Sequence, residues 1–285
     1  MMIIIHISPS LFVLESVMSK QTSLGTALIT GASSGIGAVY ADRLGRRGYD
    51  LILVARRVDN LKKLADELSK RDGVRVQILP ADLTQATDVA NVEKVLREDS
   101  TITLLVNNAG TATTGSFAQA DIDRLQREIE LNITTPTRLT HAALPGLVAR
   151  GKGGIINIAS VMSQMVQPGN TVYGGTKSYL LHFSEVLALE TAGTGVKVQV
   201  VLPGATRTEI WSKSTSTSLE NLPAEIIMET DDMVDASLAG FDQGELVTIP
   251  SLPNAGDWQK LVDARTALLP NLSKNKSAVR YGVNG

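Results

Sequence analysis

The sequence predicts an α/β protein: a doubly wound parallel sheet of about seven strands with helices on both faces. Three observations carry this expectation. From residue 26 onward, short apolar runs alternate with longer helical patterns, the alternation that builds a parallel sheet through crossover helices. The runs are apolar along their whole length, as strands buried on both faces are. The first run also leads directly into a glycine-rich turn, Thr30-Gly31-Ala32-Ser33-Ser34-Gly35-Ile36-Gly37, which opens the first helix.

Taken in order, each strand delivers a short polar or glycine-containing motif at its C-terminal end. Strand 26–30 precedes the glycine turn and helix 36–47. Strand 51–55 ends at Arg56-Arg57 and is followed by helix 59–70. Strand 74–79 comes before Asp82-Leu83 and helix 86–98. Strand 104–107 runs into Asn107-Asn108-Ala109-Gly110, then a long helical stretch, 121–149, that contains Asn132. Strand 154–159 stops at Ser160, before helix 173–191, whose first turn carries Tyr173 and Lys177. Strand 196–202 meets Pro203-Gly204. Helix 231–241 and strand 245–249 complete the sheet.

The chain has 285 residues, a net charge of −2, 43% hydrophobic and 20% charged content. One large core is then sufficient, and residues 19–285 are expected to form a single dinucleotide-binding unit. A near-neutral balance argues against nucleic acid or an anionic membrane as the partner. There is no cysteine, and His6, His141 and His182 are scattered, so no disulfide, thiolate chemistry or metal site is expected. The opening MMIIIHISPSLFVLESVM is a short apolar run with no basic start, broken at Ser8-Pro9-Ser10. It is a poor leader and too short for a membrane span. Residues 1–18 are therefore expected to be a disordered or mis-started extension, with Met18 as an alternative start, and the protein to be cytoplasmic.

Glycines at a first strand-to-helix turn permit a tight bend and close backbone approach, and the helix N-terminus attracts a pyrophosphate. The spacing is G-x-x-x-G-x-G, which differs from the G-x-G-x-x-G fingerprint. Gly31, Ser33, Ser34, Gly35, Ile36 and Gly37 are the candidate phosphate-binding residues. At the end of the second strand, where an NAD site offers a carboxylate to the ribose, this chain has Arg56-Arg57. A guanidinium pairs with the 2′-phosphate that a carboxylate would repel, so NADP(H) is expected over NAD(H). Arg56 is expected as the principal contact, Arg57 as the second, with the Ser33 hydroxyl beside them. One such contact is worth about 1.5–3 kcal/mol, roughly 10- to 100-fold in preference. Arg46 and Arg47 read as helix surface.

Tyr173 and Lys177 are four apart, on one face of a helix. An ammonium beside a phenol favours phenolate. A free phenol titrates near ~10, so proton transfer near neutrality asks for a lowering of roughly 3 pH units, about 4 kcal/mol. Where hydride adds to a carbonyl, negative charge builds on oxygen, and the hydroxyls of Ser160 and Tyr173 can donate hydrogen bonds there.

In this order and spacing, TGASSGIG (30–37), Asp82-Leu83, Asn107-Asn108-Ala109-Gly110, Asn132, Ser160, YGGTK (173–177) and Pro203-Gly204 resemble the single-domain short-chain dehydrogenase/reductase family, its branch of roughly 250 residues. The similarity covers about residues 24 to 250. It implies a Rossmann fold and an NADP(H)-dependent enzyme interconverting a ketone or aldehyde and an alcohol. By the same resemblance, Tyr173 is the general acid in reduction and the base in oxidation. Lys177 lowers its pKa and bonds the nicotinamide ribose. Ser160 orients the substrate oxygen, and Asn132 holds a water connecting Lys177 to solvent. Asp82 meets the adenine amino group, with Leu83 beside it. Asn108, Ala109 and Gly110 line the cofactor, and Pro203, Gly204 and Thr208 flank the carboxamide. Many relatives have a glycine shortly after the Asn, where this chain reads Leu-Asn-Ile-Thr; a helix kink is the competing role for Asn132.

Residues 161–172 should wall the substrate pocket and residues 209–228 should form a lid, with Trp211, Leu219, Leu222, Ile226, Ile227 and Met228 as its apolar members. Met162 and Met165 suit an adaptable apolar pocket. No Lys or Arg is evident there, so a neutral carbonyl substrate is expected. A 3-oxoacyl thioester reductase and a catalytically idle nucleotide-sensing regulator are the alternatives. The tail 252–285, with one helix near 255–268, is expected to pack on the domain or a sister subunit. The resemblance implies a homodimer or homotetramer.

Overall fold

The computed structural model describes residues 24–214 and 218–283; the extension expected at 1–18 lies outside them. Each apolar run is a strand: β1 (Thr26–Thr30), β2 (Asp50–Ala55), β3 (Val76–Pro80), β4 (Ile102–Asn107), β5 (Gly153–Ile158), β6 (Val196–Val201) and β7 (Val247–Thr248). They form one seven-stranded sheet, every pairing parallel, in the order β3-β2-β1-β4-β5-β6-β7. The crossover helices are α1 (Gly35–Arg46), α2 (Val58–Asp72), α3 (Ala86–Glu98), α4 (Ile122–Ile129), α5 (Thr135–Ala149) and α6 (Thr171–Glu190). A short α7 (Ile210–Ser214), then α8 (Thr230–Gln243) and α9 (Ala255–Leu272) complete the chain.

The apolar character of the strands follows from their burial. On β1, Ala27 and Ile29 join one core with Tyr40 and Leu44 of α1, Leu61 and Leu68 of α2, and Met233, Val234 and Leu238 of α8. The intervening Leu28 joins the opposite core with Val92 of α3, Leu139 and Leu147 of α5, and Leu187 of α6. Each fully buried Leu or Ile contributes roughly 1.5–3 kcal/mol, so burial on both faces fixes β1 in the interior of the sheet.

Element boundaries differ from the sequence expectation by a few residues, and three of the differences are informative. β3 begins at Val76 because Arg75 is engaged by Asp50, whose carboxylate accepts from its backbone N (2.9 Å) and its guanidinium. β7 is two residues long, pairing with β6 at Val247 and Thr248. The stretch 121–149 is two helices separated by a π-helical turn, Glu130–Thr134. No helix among the described residues is long and apolar enough to cross a membrane.

The order reverses between β1 and β4, β2 and β3 lying on one side and β5 to β7 on the other. Ligands of open α/β sheets bind beyond the strand C-termini at such a switch point. Every sequence motif singled out at a strand end therefore faces the same opening.

Candidate active site

That opening is a cleft of about 1670 Å³, larger than a typical small-ligand pocket of roughly 300–1,000 Å³. Its floor is the glycine turn. A Cβ on Gly31, where φ is +68, would lie 2.7 Å from Asn108 Nδ2, and one on Gly37 would strike the Gly31 carbonyl oxygen and sit 2.5 Å from the same Nδ2. Asn108 Nδ2 donates to Thr30 O (2.8 Å), and the backbone N of Asn108 and of Ala109 both donate to Thr30 Oγ1 (3.0 Å). The turn and the end of β4 are thus clamped so closely that only glycine fits. The first turn of α1 carries no acidic residue, leaving its positive end open to an anion. These features fit a dinucleotide pyrophosphate.

Both arginines after β2 line the cleft, but their geometry differs. Arg57 donates through Nε and Nη2 to Ser33 Oγ (3.2 and 3.1 Å), through Nη2 to Ser34 Oγ (2.5 Å) and through Nη1 to Glu209 Oε2 (2.9 Å). Arg56 has a side chain 72% exposed, 4.0 Å from Asp82 Oδ2. The guanidinium gathered with Ser33 and Ser34 is therefore that of Arg57, while that of Arg56, expected as the principal contact, stands exposed at the edge of the cleft. Adjacent residues on an extended segment point to opposite sides, and the sequence does not say which side faces the turn. Asn60, unremarked in the sequence, donates from Nδ2 to Ser33 O (3.3 Å) and steadies the same loop.

Asp82 and Leu83 line the cleft beyond β3. Asp82 Oδ1 accepts from the backbone N (3.1 Å) and Oγ1 (2.8 Å) of Thr84. On the opposite side lie Ala109, Gly110, Pro203, Gly204 and Thr208. Of the sequence-predicted site residues, Gly37 and Asn132 do not line the cleft; both act from behind it.

Ser160, Tyr173 and Lys177 meet on one wall. Ser160 caps a short 3-10 turn, Oγ accepting from Met162 N (3.1 Å), and its hydroxyl lies toward the Tyr173 phenol and favours the phenolate. Lys177 Nζ lies 5.7 Å from the centroid of the Tyr173 ring and donates to Ile158 O (2.9 Å). Burial holds the Lys177 ammonium down to about 8, opposed by the charge of Glu128. Tyr173 departs from expectation. Within the chain's own groups burial pushes the phenol up, only partly offset by Ser160, and Glu128 adds to the rise. Lys177 alone does not supply the depression, because it is itself short of solvation.

Asn132 sits in the π-helical turn and is buried. Its Nδ2 donates to Thr111 O (2.8 Å) and Thr176 Oγ1 (3.1 Å), and its Oδ1 accepts from Thr111 N (3.0 Å). The side chain therefore ties the loop after β4 to α6 one residue before Lys177.

The substrate end holds Met162, Met165, Trp211, Leu222, Ile226, Ile227 and Met228. Leu219, expected among the apolar members of 209–228, is not one of the lining residues. The segment 209–228 carries α7 and two 3-10 turns. Sequence reasoning missed the acidic residues of the cleft lining: Glu209, paired with Arg57, Glu229, paired with Arg207, and Glu225 and Asp232 are scattered along the chain with no motif to mark them.

Residues 25–219 match the family model for short chain dehydrogenase. An uncharacterized oxidoreductase of Myxococcus xanthus is 32% identical over 256 residues, 88% of this chain and 95% of the relative. Among solved structures, a short-chain dehydrogenase from Sphingobium yanoikuyae in complex with NADPH is 48% identical, with a TM-score of 0.86 over 90% of this chain and 98% of that one. The bulky-bulky ketone specific alcohol dehydrogenase from Comamonas testosteroni is 44% identical, with a TM-score of 0.84 over 91% and 99%.

Proposed function

This chain belongs to the short-chain dehydrogenase/reductase family of oxidoreductases acting on CH–OH groups, and on that premise we propose that it interconverts a bulky, neutral ketone or aldehyde and its alcohol, using NADP(H). The observation that carries the reading is the convergence of Ser160, Tyr173 and Lys177 on one wall of the cleft whose floor is the glycine turn. Bound NADPH would lie along Gly31, Ser33 to Ile36, Asn108 to Gly110 and Pro203-Gly204, and would supply the hydride.

Tyr173 Oη gives its proton to the developing alkoxide, and Ser160 Oγ donates a second hydrogen bond to that oxygen. Such general-acid help is worth about 10²–10⁴ in rate. Lys177 stands one helical turn away as a cation that stabilises the phenolate left behind. In the oxidative direction the same phenolate takes the proton back.

Preference for the 2′-phosphate is supported by Arg57 and Ser33, and by the NADPH held in the Sphingobium relative. An apolar pocket rimmed by Glu225, Glu229 and Asp232 disfavours carboxylate or phosphate substrates. The bulky-ketone selectivity of the Comamonas relative agrees with a pocket of this size. Segment 209–228 serves as the lid over it. Association into a homo-oligomer is supported by exposed apolar positions on α6 (Leu189) and α9 (Leu268, Leu269, Leu272). The test is NADPH and NADH oxidation over a panel of ketones graded in size and charge. Fastest turnover is expected with NADPH and bulky neutral ketones; turnover confined to small or anionic carbonyls would refute the substrate class.

A further inference from the structure

Two glutamates are buried among the described residues, Glu93 and Glu128. Glu93 is paired with Arg97 and Arg138. Glu128 is not: its exposure is 0%, and neither Oε1 nor Oε2 has a hydrogen-bond partner. The Thr113 hydroxyl and backbone lie toward the carboxyl and ease its charge, yet no bond of normal geometry closes, and Thr113 Oγ1 is buried and unpartnered as well.

A carboxylate buried without a partner is costly to the fold, where a Leu or Met of similar volume would not be. Its place in the fold gives it one role. Glu128 lies on α4, which packs against α6, one turn before the Asn132 side chain that is bonded to Thr176. The charged and titratable groups that act on it are Lys177 from α6 and Arg124 from α4 itself, and it acts in turn on Lys177 and Tyr173. Arg124 is exposed and Lys177 is buried, so the low-dielectric partner is Lys177.

We propose that Glu128 is a positioning residue for the proton-delivery pair: its carboxylate acts from behind the active-site wall on Lys177, holds that amine as the ammonium, and so sets the pH range over which Tyr173 delivers a proton. The inference rests on the reading of Tyr173 and Lys177 given above. Without the negative charge at 128, Lys177 loses its proton at lower pH, and the direct rise that Glu128 imposes on Tyr173 is removed as well. The alkaline limb follows Lys177, whose ammonium the phenolate needs, so it moves to lower pH.

The experiment compares the pH profile of kcat/KM for NADPH-dependent ketone reduction in wild type, Glu128→Gln and Glu128→Leu. The alkaline limb is expected to move to lower pH by about half a unit or more, roughly 3-fold in proton affinity, in both variants. A limb that stays in place in a folded variant overturns the proposal. A second readout needs no turnover. Burial pushes the Glu128 carboxyl above its usual 4.5, so the native chain retains a proton that the unfolded chain gives up, and stability falls as pH rises above about 4.5. Glu128→Gln lacks that fall, so its melting temperature should gain on wild type across this window; parallel curves would contradict a buried charge at 128. Failure of the underlying reading is separable, since Tyr173→Phe would then remain active.

Discussion

At the residue scale the account turns on which cations face which oxygens. Arg57 gathers Ser33, Ser34 and Glu209, while Arg56 stays exposed beside Asp82. Arg57→Ala is therefore expected to raise KM for NADPH about 10- to 100-fold with little change for NADH. Arg56→Asp should have the smaller effect; steady-state KM values for the two cofactors check the order, and a larger loss from Arg56→Asp would reverse the assignment. Lys177 yields a pH prediction. Its amine is held near 8 against an ordinary 10.5, so between those values the native chain binds fewer protons than the unfolded one and stability rises with pH. Below pH 8 the full cost applies, about 3 kcal/mol, reduced by the bond to Ile158. Lys177→Met should be inactive yet melt higher than wild type at pH 7, with the advantage shrinking as pH climbs from 8 toward 10.5. A variant less stable at every pH would contradict this. These residues differed in how far the sequence exposed them. The convergence of Tyr173, Lys177 and Ser160 on one cleft was legible because the proposed chemistry needs particular atoms at particular spacings. The seat of Arg57 beside Ser33 and the burial of Glu128 were not, because both depend on which side of a backbone a residue leaves.

At the element scale, strand identity was legible for a simple reason: a strand buried on both faces must be apolar throughout, and runs such as LILV (51–54) have no other use. The break in the 121–149 stretch was less so. Asn132 bonds to the Thr111 backbone and Thr176, and a wide turn accommodates it where periodicity alone reads a continuous helix. The extra residue turns the following helix face, so the kink and the bonding role are one feature. The α9 helix presents a different problem. It packs on the domain through Trp258 and the Arg265–Glu185 pair but buries none of its residues fully, and it leaves Leu268, Leu269 and Leu272 58%, 60% and 67% exposed, an apolar stripe turned to water. Residues 252–285 carry five Lys or Arg against two Asp, in a chain with 27 basic and 29 acidic side chains, so the arm is basic and the remainder acidic. The proposed homo-oligomer would cover this stripe with the acidic surface of a second copy. Changing the three leucines to serine should lower the mass found by light scattering while leaving circular dichroism unaltered, since none of them holds the core. A monomeric wild type, or an unchanged mass in the variant, would refute it.

At the scale of the whole molecule, the parallel sheet places its strand-end motifs from more than 170 residues of sequence around one opening between β1 and β4. The fold and the glycine-turn floor of the cleft were readable because apolar runs alternate with helical patterns and a glycine-rich turn joins the first strand to the first helix. The substrate end was readable only as apolar, since Glu225, Glu229 and Asp232 converge there through tertiary packing that no local pattern records. What unites the parts is the claim that Tyr173 delivers the proton that completes hydride transfer to a carbonyl. NADPH oxidation with a bulky neutral ketone, measured for wild type and for Tyr173→Phe, tests that claim most directly. A fall of about 10²–10⁴ in kcat with NADPH binding retained is the predicted result; a Tyr173→Phe enzyme as fast as wild type would contradict it.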